Sequence, residues 1–171
     1  MSGVRFELTG KEETLGVLGE AVGRTEDKRG LMDAVGAALV TSTEHRFETE
    51  SDPEGNPWPD SLRKTVEGGR TLTETARLVS SLTHEASESS VAVGTNVVYG
   101  AIHQTGGTIR AKTARGLRFR GAGGGWVTRQ SVTIPRRAFL GLDREDEAEI
   151  PALAADWLGA ENDKGGGDAR R

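Results

Sequence analysis

The sequence predicts an α+β fold: a small, mainly antiparallel sheet packed against two or three helices, with a long protruding β-hairpin. Three observations predict it. An apolar stripe with a period near 3.6 residues begins at Leu31 and indicates a long helix. Apolar and polar residues alternate through Val4, Phe6 and Leu8, as in a strand with one buried face. Two β-rich arms flank the glycine-rich segment 121–125, which is typical of a hairpin tip.

After the first strand, the first third of the chain is predicted to be helical. Thr9 and Glu12 form a capping-box pattern, which predicts a helix continuing to about Val22. A second helix is expected from about Leu31 into the high forties, because its apolar residues recur at helical spacing. Residues 60–70 contain no such periodicity, so we expect them to be irregular.

The middle of the chain alternates between short elements. A short helix is predicted for Leu72–Leu82, followed by two strands at about 83–87 and 91–96 that are joined by a tight turn. Residues 97–104 are predicted to form another short helix, which ends at Gly106 because glycine favours the backbone conformation that stops a helix.

The C-terminal part is predicted to be one acidic helix and a tail. Asp143 is expected to cap the helix, and Pro151 is expected to kink or restart it, since proline cannot donate a helical hydrogen bond. The polar, glycine-rich residues 161–171 are predicted to be disordered. Residues 1–160 are therefore expected to form a single α+β domain with a hairpin at about 108–134.

Charge is distributed unevenly along the chain. Residues 105–142 contain eight basic residues and no acidic one, so the remainder carries −12 within a total of −4. Such a segment suits an acidic surface, a nucleic acid or a neighbouring copy of the chain. The chain has no cysteine, which excludes disulfides and thiolate metal sites. No stretch of about 18 apolar residues occurs, so we expect no transmembrane helix and no membrane partner, and a soluble protein that is made and assembled in the cytoplasm.

Motifs that carry chemistry are missing from the sequence. His45, His84 and His103 are widely spaced and match no metal-ligand pattern, and no phosphate loop, dinucleotide fingerprint or serine elbow occurs. We therefore expect no enzyme activity, no cofactor and no metal. His103 lies next to Gln104 in an apolar helix, where a buried structural role is favoured over a catalytic role in a small hydrolase.

The basic hairpin is the main candidate for a binding surface. It could reach the acidic face of a neighbouring subunit, bind nucleic acid through its arginines and aromatic rings, or remain solvated without a partner. Trp58 lies between two prolines, and it is either an anchor for a partner or a tryptophan pinned onto its own core. The candidate interface residues are Arg110, Arg115, Arg118, Phe119, Arg120, Trp126, Arg129 and Trp58.

Four stretches share an order and spacing with one protein family. They are residues 47–59, which contain Gly55-Asn56-Pro57-Trp58-Pro59; residues 72–78; residues 93–107, which end in His103-Gln104-Thr105-Gly106-Gly107; and Ile134-Pro135-Arg136-Arg137-Ala138-Phe139-Leu140-Gly141-Leu142. Together, over about residues 31–158, they resemble the phage virion morphogenesis, or tail-completion, family. The sequence departs from the family pattern at Ala138, where proline is expected, and at Pro151, which interrupts a helix.

The resemblance implies a late assembly protein that completes the tail and makes a stable head–tail joint. It also implies relatedness to neck, connector and tail-terminator subunits, which act as rings. We expect a virion protein at the neck or upper end of the tail, sixfold by analogy with tail tubes. Its expected partners are copies of itself as a hexamer, neighbouring neck, connector and tail-tube proteins, and packaged DNA in the channel. The alternatives are a terminator that caps the tail tube and a nucleic-acid-binding protein.

Overall fold

A computed structural model of the chain describes residues 3–9, 23–121 and 124–165. The fold is α+β with small antiparallel sheets, as predicted. The helices described are α1 (Lys28–Thr49), α2 (Leu62–Glu67), α3 (Gly100–Thr105) and α4 (Arg144–Gly165). The strands described are β1 (Val4–Thr9), β2 (Leu82–Ala86), β3 (Ser90–Thr95), β4 (Gly107–Arg110), β5 (Leu117–Arg120), β6 (Trp126–Arg129) and β7 (Ser131–Ile134).

The chain divides into two compact units. Unit 1 comprises Met1–Val4, Thr43–Leu82 and Thr95–Gly141, and unit 2 comprises Arg5–Ser42, Thr83–Gly94 and Leu142–Arg171. Unit 1 therefore holds the end of α1, the helices α2 and α3, and the strands β4 to β7. Unit 2 holds most of α1, most of β1, β2 and β3, and all of α4. A single domain over residues 1–160 stays a prediction.

Unit 2 is built on the three-stranded sheet, in which β3 is the central strand in the order β1-β3-β2. The two strands predicted at about 83–87 and 91–96, and the turn between them, are confirmed as β2 and β3, which each begin one residue earlier. In β3, Val91 and Val93 are fully buried. On α1 the buried residues Leu31, Val35 and Leu39 recur every four positions, so the predicted helix and its buried face are confirmed.

Helix α1 approaches the sheet closely at Gly36. An ideal Cβ at Gly36 would lie 2.4 Å from Cδ2 of His84 in β2 and 2.8 Å from Cγ2 of Val91 in β3. One turn earlier, Oδ1 of Asp33 lies 3.0 Å from Nε2 of His84. The missing side chain of Gly36 therefore sets how near the helix and the strands come to each other in unit 2.

Helix α4 begins with a reciprocal capping arrangement. The Asp143 carboxylate accepts hydrogen bonds from the backbone N–H groups of Glu145 (2.9 Å) and Asp146 (2.8 Å), and the Asp146 carboxylate accepts from the Asp143 N–H (3.0 Å). The predicted cap is thus confirmed. The helix runs unbroken through Pro151 to Gly165, so the helix does not restart at Pro151. Disorder of residues 161–171 stays a prediction. Residues 166–171 lie outside the described part.

Two local predictions around residues 60–82 were wrong. Residues 62–67 form α2, because the Ser61 hydroxyl accepts a hydrogen bond from the Lys64 N–H (3.1 Å) and caps the helix. The helix expected at Leu72–Leu82 is replaced by turns and a single 3₁₀ turn. Positive φ angles at Leu72 (65°) and Ala76 (53°) are incompatible with a right-handed helix there.

Other elements agree with the sequence or fall outside the described residues. Helix α3 ends at Gly106, as predicted, although it begins three residues later than expected. The predicted helix between Thr9 and Val22 lies in residues 10–22, outside the described part. No helix of the described residues is long and apolar enough to cross a membrane.

We predict that Gly36→Ala destabilises the protein by about 1–3 kcal/mol, although alanine is the better helix former, because its Cβ would overlap His84 and Val91. The control is Gly159→Ala in α4, where an added Cβ meets nothing within 4 Å. That change should be neutral or stabilising by up to about 1 kcal/mol. Urea denaturation of both variants measures the difference, and an unchanged midpoint for Gly36→Ala would contradict the close packing.

Candidate functional site

Strands β4 to β7 form the predicted hairpin as two successive antiparallel ladders. In the first ladder Gly107 pairs with Ile134 and Arg110 with Ser131. In the second, β5 pairs with β6. Between the ladders, six residues (111–116) stand opposite Gln130 alone; the Gln130 carbonyl accepts from the Ala111 N–H (2.8 Å). The hairpin therefore contains a large bulge. It separates a root ladder, β4 with β7, from a tip ladder, β5 with β6.

The tip ladder has one exposed, cationic and aromatic face. Arg118 is paired with Thr128, and Arg120 with Trp126, so these four side chains point to the same side of the ladder. All four residues are exposed, and Trp126 is 64% accessible. The Arg118 guanidinium lies 4.6 Å from the centroid of the Trp126 ring, a cation–π contact. We call these four residues the Arg-Trp face.

The remaining hairpin candidates do not lie on the Arg-Trp face. Phe119 and Arg129 belong to the opposite side of the tip ladder, together with the half-buried Leu117 and Val127. Arg110 lies in the root ladder, and Arg115 lies in the bulge. The structure therefore brings together only some of the residues that the sequence grouped as one surface.

The hairpin cations have no acidic partner in the described part of the chain. No ion pair of 4.0 Å or less involves Arg110, Lys112, Arg115, Arg118, Arg120 or Arg129 there. Arg136, just after the hairpin, lies 4.0 Å from the Asp52 carboxylate. The charge of the tip is thus left exposed to solvent, where a partner could reach it.

Trp58 belongs to the core of unit 1, which corrects its inclusion among the partner-facing residues. It is only 5% accessible, and its Nε1–H donates to the Ala138 carbonyl (2.8 Å). Its ring packs edge-on against Phe47, with 5.3 Å between centroids, and Phe47 packs against Phe139 at 5.4 Å. A buried tryptophan with a satisfied N–H cannot serve as an exposed anchor.

The loop that carries Trp58 is held closed at its base. The Trp58 N–H donates to the Glu50 carbonyl (2.6 Å), and Asn56 is bonded to Asp52 through both backbone and side chain. Burial alone would raise the pKa of Glu50, but hydrogen bonds from Lys64 and from the Thr71 N–H lower it below the usual value. The ionised Glu50 carboxylate therefore ties the loop to α2.

Residues 137–141 follow the hairpin and pair with no strand. Their backbone N–H and C=O groups form hydrogen bonds mainly with side chains instead. Gln104 at the end of α3 accepts from the N–H groups of Phe139 and Leu140 (both 3.0 Å) and donates to the Leu140 carbonyl (2.7 Å). The Arg137 N–H donates to the His103 carbonyl (2.7 Å). We call this arrangement the clamp.

Two buried arginines complete the clamp. Nη1 of Arg46 in α1 donates to the carbonyls of Phe139 (3.1 Å) and Gly141 (3.0 Å). The Arg137 guanidinium donates to the carbonyls of Pro59 (2.6 Å) and Asp60 (3.1 Å). The sequence did not predict that Arg46 and Arg137 are buried and donate to backbone carbonyls. The position of Arg46 on the buried stripe of α1 was the one available signal for it.

His103 has the environment of a structural residue. Burial lowers its pKa, and the positive charge of Arg137 lowers it further, so the imidazole is neutral at pH 7. Its ring contacts the Tyr99 ring edge-on, with 6.1 Å between centroids. Within the described ranges, no group of three or more histidine, aspartate or glutamate side chains could hold a metal ion.

Comparison with known proteins identifies the family. The chain matches the sequence model of the phage virion morphogenesis family over residues 8–159. It belongs to that family. It is 29% identical to the Mu-like prophage FluMu G protein 2 of Haemophilus influenzae, over 86% of this chain and 90% of the relative. It is also 29% identical to the putative capsid assembly protein G of Escherichia phage Mu, over 77% of this chain and 80% of that protein. No solved structure gives a significant match.

Membership of the phage virion morphogenesis family makes the chain a phage structural or assembly protein. Three of the four stretches that carried the resemblance meet around residues 137–141. Residues 47–59 supply Phe47 and Trp58, residues 93–107 supply Gln104, and residues 134–142 supply the backbone that they hold. These contacts join three stretches that lie far apart in the sequence.

We predict that Trp58→Phe destabilises the protein by about 1–3 kcal/mol, because it leaves the buried Ala138 carbonyl without its donor. Trp126→Phe is the matched control. Since Trp126 is exposed on the hairpin, its replacement should change the free energy of unfolding by no more than about 0.5 kcal/mol. Chemical denaturation followed by circular dichroism compares them, and equal effects at the two positions would refute the assignment of Trp58 to the core.

His103 should make the stability of the protein depend on pH. Its pKa in the folded chain lies below its ordinary value of 6.5, so the unfolded chain binds a proton more readily. Stability should therefore fall as the pH drops below about 6.5, by at most about 1.4 kcal/mol per pH unit. His103→Gln should lose this part of the dependence. Parallel profiles for the wild type and the variant between pH 7.5 and 5.5 would contradict the expectation.

Proposed function

We propose that the protein is a ring-forming structural subunit that completes the phage tail and joins it to the head, at the neck or the upper end of the tail. The observation that carries this proposal is the Arg-Trp face of the hairpin, which is exposed and has no acidic partner in the described part of the chain. Family membership supports an assembly role. The relative from phage Mu is described as a putative capsid assembly protein.

The hairpin has the properties of an arm that contacts a neighbouring subunit. Its tip ladder, β5 with β6, has only two strands, and two-stranded hairpins are marginally stable alone in water. Contact with another subunit would bury Trp126, a residue type enriched at interface hot spots, and neutralise the arginines around it. A contact between two different surfaces of identical subunits generates a ring when the rotation closes. Sixfold symmetry is the expectation by analogy with tail tubes.

We also propose that the protein has no catalytic activity. His103, the residue around which a hydrolase was considered, is neutral, half-buried and packed against Tyr99. Its backbone carbonyl, rather than its ring, makes the clamp hydrogen bond with Arg137. Particle yield should accordingly not depend on the imidazole.

A nucleic-acid-binding role is the second candidate, and the Arg-Trp face favours it. An exposed indole with arginines beside it could stack on a base while the cations contact phosphates. Such binding would weaken steeply with salt, since each phosphate contact releases counterions. In a neck ring the same face would point to packaged DNA in the channel.

The test is to replace residues 111–130 with Asn-Gly in the phage. This removes the bulge and tip but keeps the root ladder, because Arg110 and Ser131 are already paired and Asn-Gly suits a two-residue turn. We predict a folded protein, with a circular dichroism spectrum like that of the wild type, and particles whose filled heads lie apart from their tails.

Electron microscopy of negatively stained lysates reads out the result, and a phage with a stop codon in the gene is the control. Unjoined tails of normal length indicate a joining protein, and overlong tails indicate a terminator that caps the tube. Intact, joined particles from both phages would overturn the structural role, and intact particles from the hairpin variant alone would remove the hairpin from it.

A further inference from the structure

Helix α4 exposes a stripe of acidic residues along one side. Glu145, Glu149, Ala152 and Asp156 are all exposed, and their spacing of four, three and four residues places them on one face of a helix. The buried Ile150 lies on a different side. Within the residues that the structure describes, no basic side chain lies within 4.0 Å of these three carboxylates. We call Glu145, Glu149 and Asp156 the acidic stripe.

The spacing of the Arg-Trp face matches that of the acidic stripe. Arg118 and Arg120 are two residues apart on one strand, so their Cα atoms are about 6.7 Å apart. Glu145 and Glu149 are four residues apart on a helix, a rise of about 6 Å. Two arginines on a strand can therefore meet two carboxylates one helical turn apart. Trp126 beside Arg118 would then cover the apolar Ala152 between the carboxylates.

Each copy of the chain carries both complementary surfaces. In unit 1, which contains the hairpin, basic residues exceed acidic ones by 5, whereas in unit 2, which contains α4, acidic residues exceed basic ones by 9. Opposite charge on two different surfaces favours head-to-tail association of identical subunits, and like surfaces repel each other. A nucleic acid would match only the hairpin, whereas a second copy of the chain matches both the hairpin and the acidic stripe.

We propose that the Arg-Trp face of one copy docks on the acidic stripe of α4 in a second copy. This inference rests on the proposed ring function and names the surface that receives the hairpin. Arg118 and Arg120 pair with Glu145 and Glu149 of the neighbouring copy, while Trp126 supplies the apolar contact. The contact joins two different surfaces, so it propagates from copy to copy.

Exchanging the charges tests the contact in the purified full-length protein. The first variant is Arg118→Glu with Arg120→Glu, the second is Glu145→Arg with Glu149→Arg, and the third combines all four changes. The control is Arg24→Glu with Arg29→Glu, which changes the net charge as much as the first variant at two exposed positions elsewhere. Circular dichroism and thermal unfolding verify that each variant is folded.

Sedimentation velocity across a concentration series measures self-association. The first and second variants should each weaken it at least about tenfold, and the control should not. The four-residue exchange should restore it, and so should an equimolar mixture of the first and second variants. Association of the wild type should weaken between 50 mM and 500 mM NaCl, because exposed charge pairs are screened by salt.

The possible results distinguish a failure of this docking contact from a failure of the proposed function. If the first variant fails to associate and the exchange does not restore association, the hairpin is an interface but α4 is not its acceptor, which overturns the inference alone. If the wild type stays monomeric at every concentration, or the first variant associates normally, the inference is also overturned. Loss of duplex DNA binding in the first variant, without restoration by the exchange, would assign the Arg-Trp face to nucleic acid. The lysate microscopy described above decides the function independently.

Discussion

The organisation of unit 1 depends on one constraint: the backbone of residues 137–141 is buried but belongs to no sheet. Buried N–H and C=O groups without partners would each cost about 1–3 kcal/mol. Three side chains from distant parts of the chain remove that cost: Arg46 from α1, Trp58 from the loop after it, and Gln104 from α3. The loss of any one of the three would leave backbone groups of this buried segment without a partner.

The same clamp also fixes the root of the hairpin. Gln104 lies just before β4, and the residues it holds, Phe139 and Leu140, lie just after β7. The chain turns at Gly106, between Gln104 and β4. Gly106 has a φ of 69°, and an ideal Cβ there would lie 2.8 Å from the backbone nitrogen of Arg136, so this position favours glycine. The same hydrogen-bonded group of residues thus contacts both ends of the hairpin, while the Arg-Trp face lies beyond the bulge.

Features with local signals could be predicted from the sequence, and features that depend on distant contacts could not. The buried stripe of α1, the Asp143 cap and the hairpin with its glycine tip each follow from residues close together in the chain. The bond from Arg46 to Phe139 spans 93 positions, so the local pattern that places Arg46 on a buried face does not indicate its partner. Leu78 and Leu82 have helical spacing, but the segment 72–82 is not an α-helix, because Leu72 and Ala76 adopt positive φ angles. For the candidate site, the sequence identified the basic hairpin, but it could not divide Phe119 from Trp126 between two faces.

The buried arginines that stabilise unit 1 and the exposed arginines of its hairpin are therefore different residues. The clamp arginines, Arg46 and Arg137, are buried and directed at backbone carbonyls, so they serve the fold. The tip arginines, Arg118 and Arg120, are exposed and directed at no acidic group of the described chain, so the fold gains little from them. Arginines kept at a surface without partners in their own chain raise the net charge of that surface and favour contact with another molecule. A chain built in this way can be stable by itself and still carry exposed positive charge that is available to another molecule.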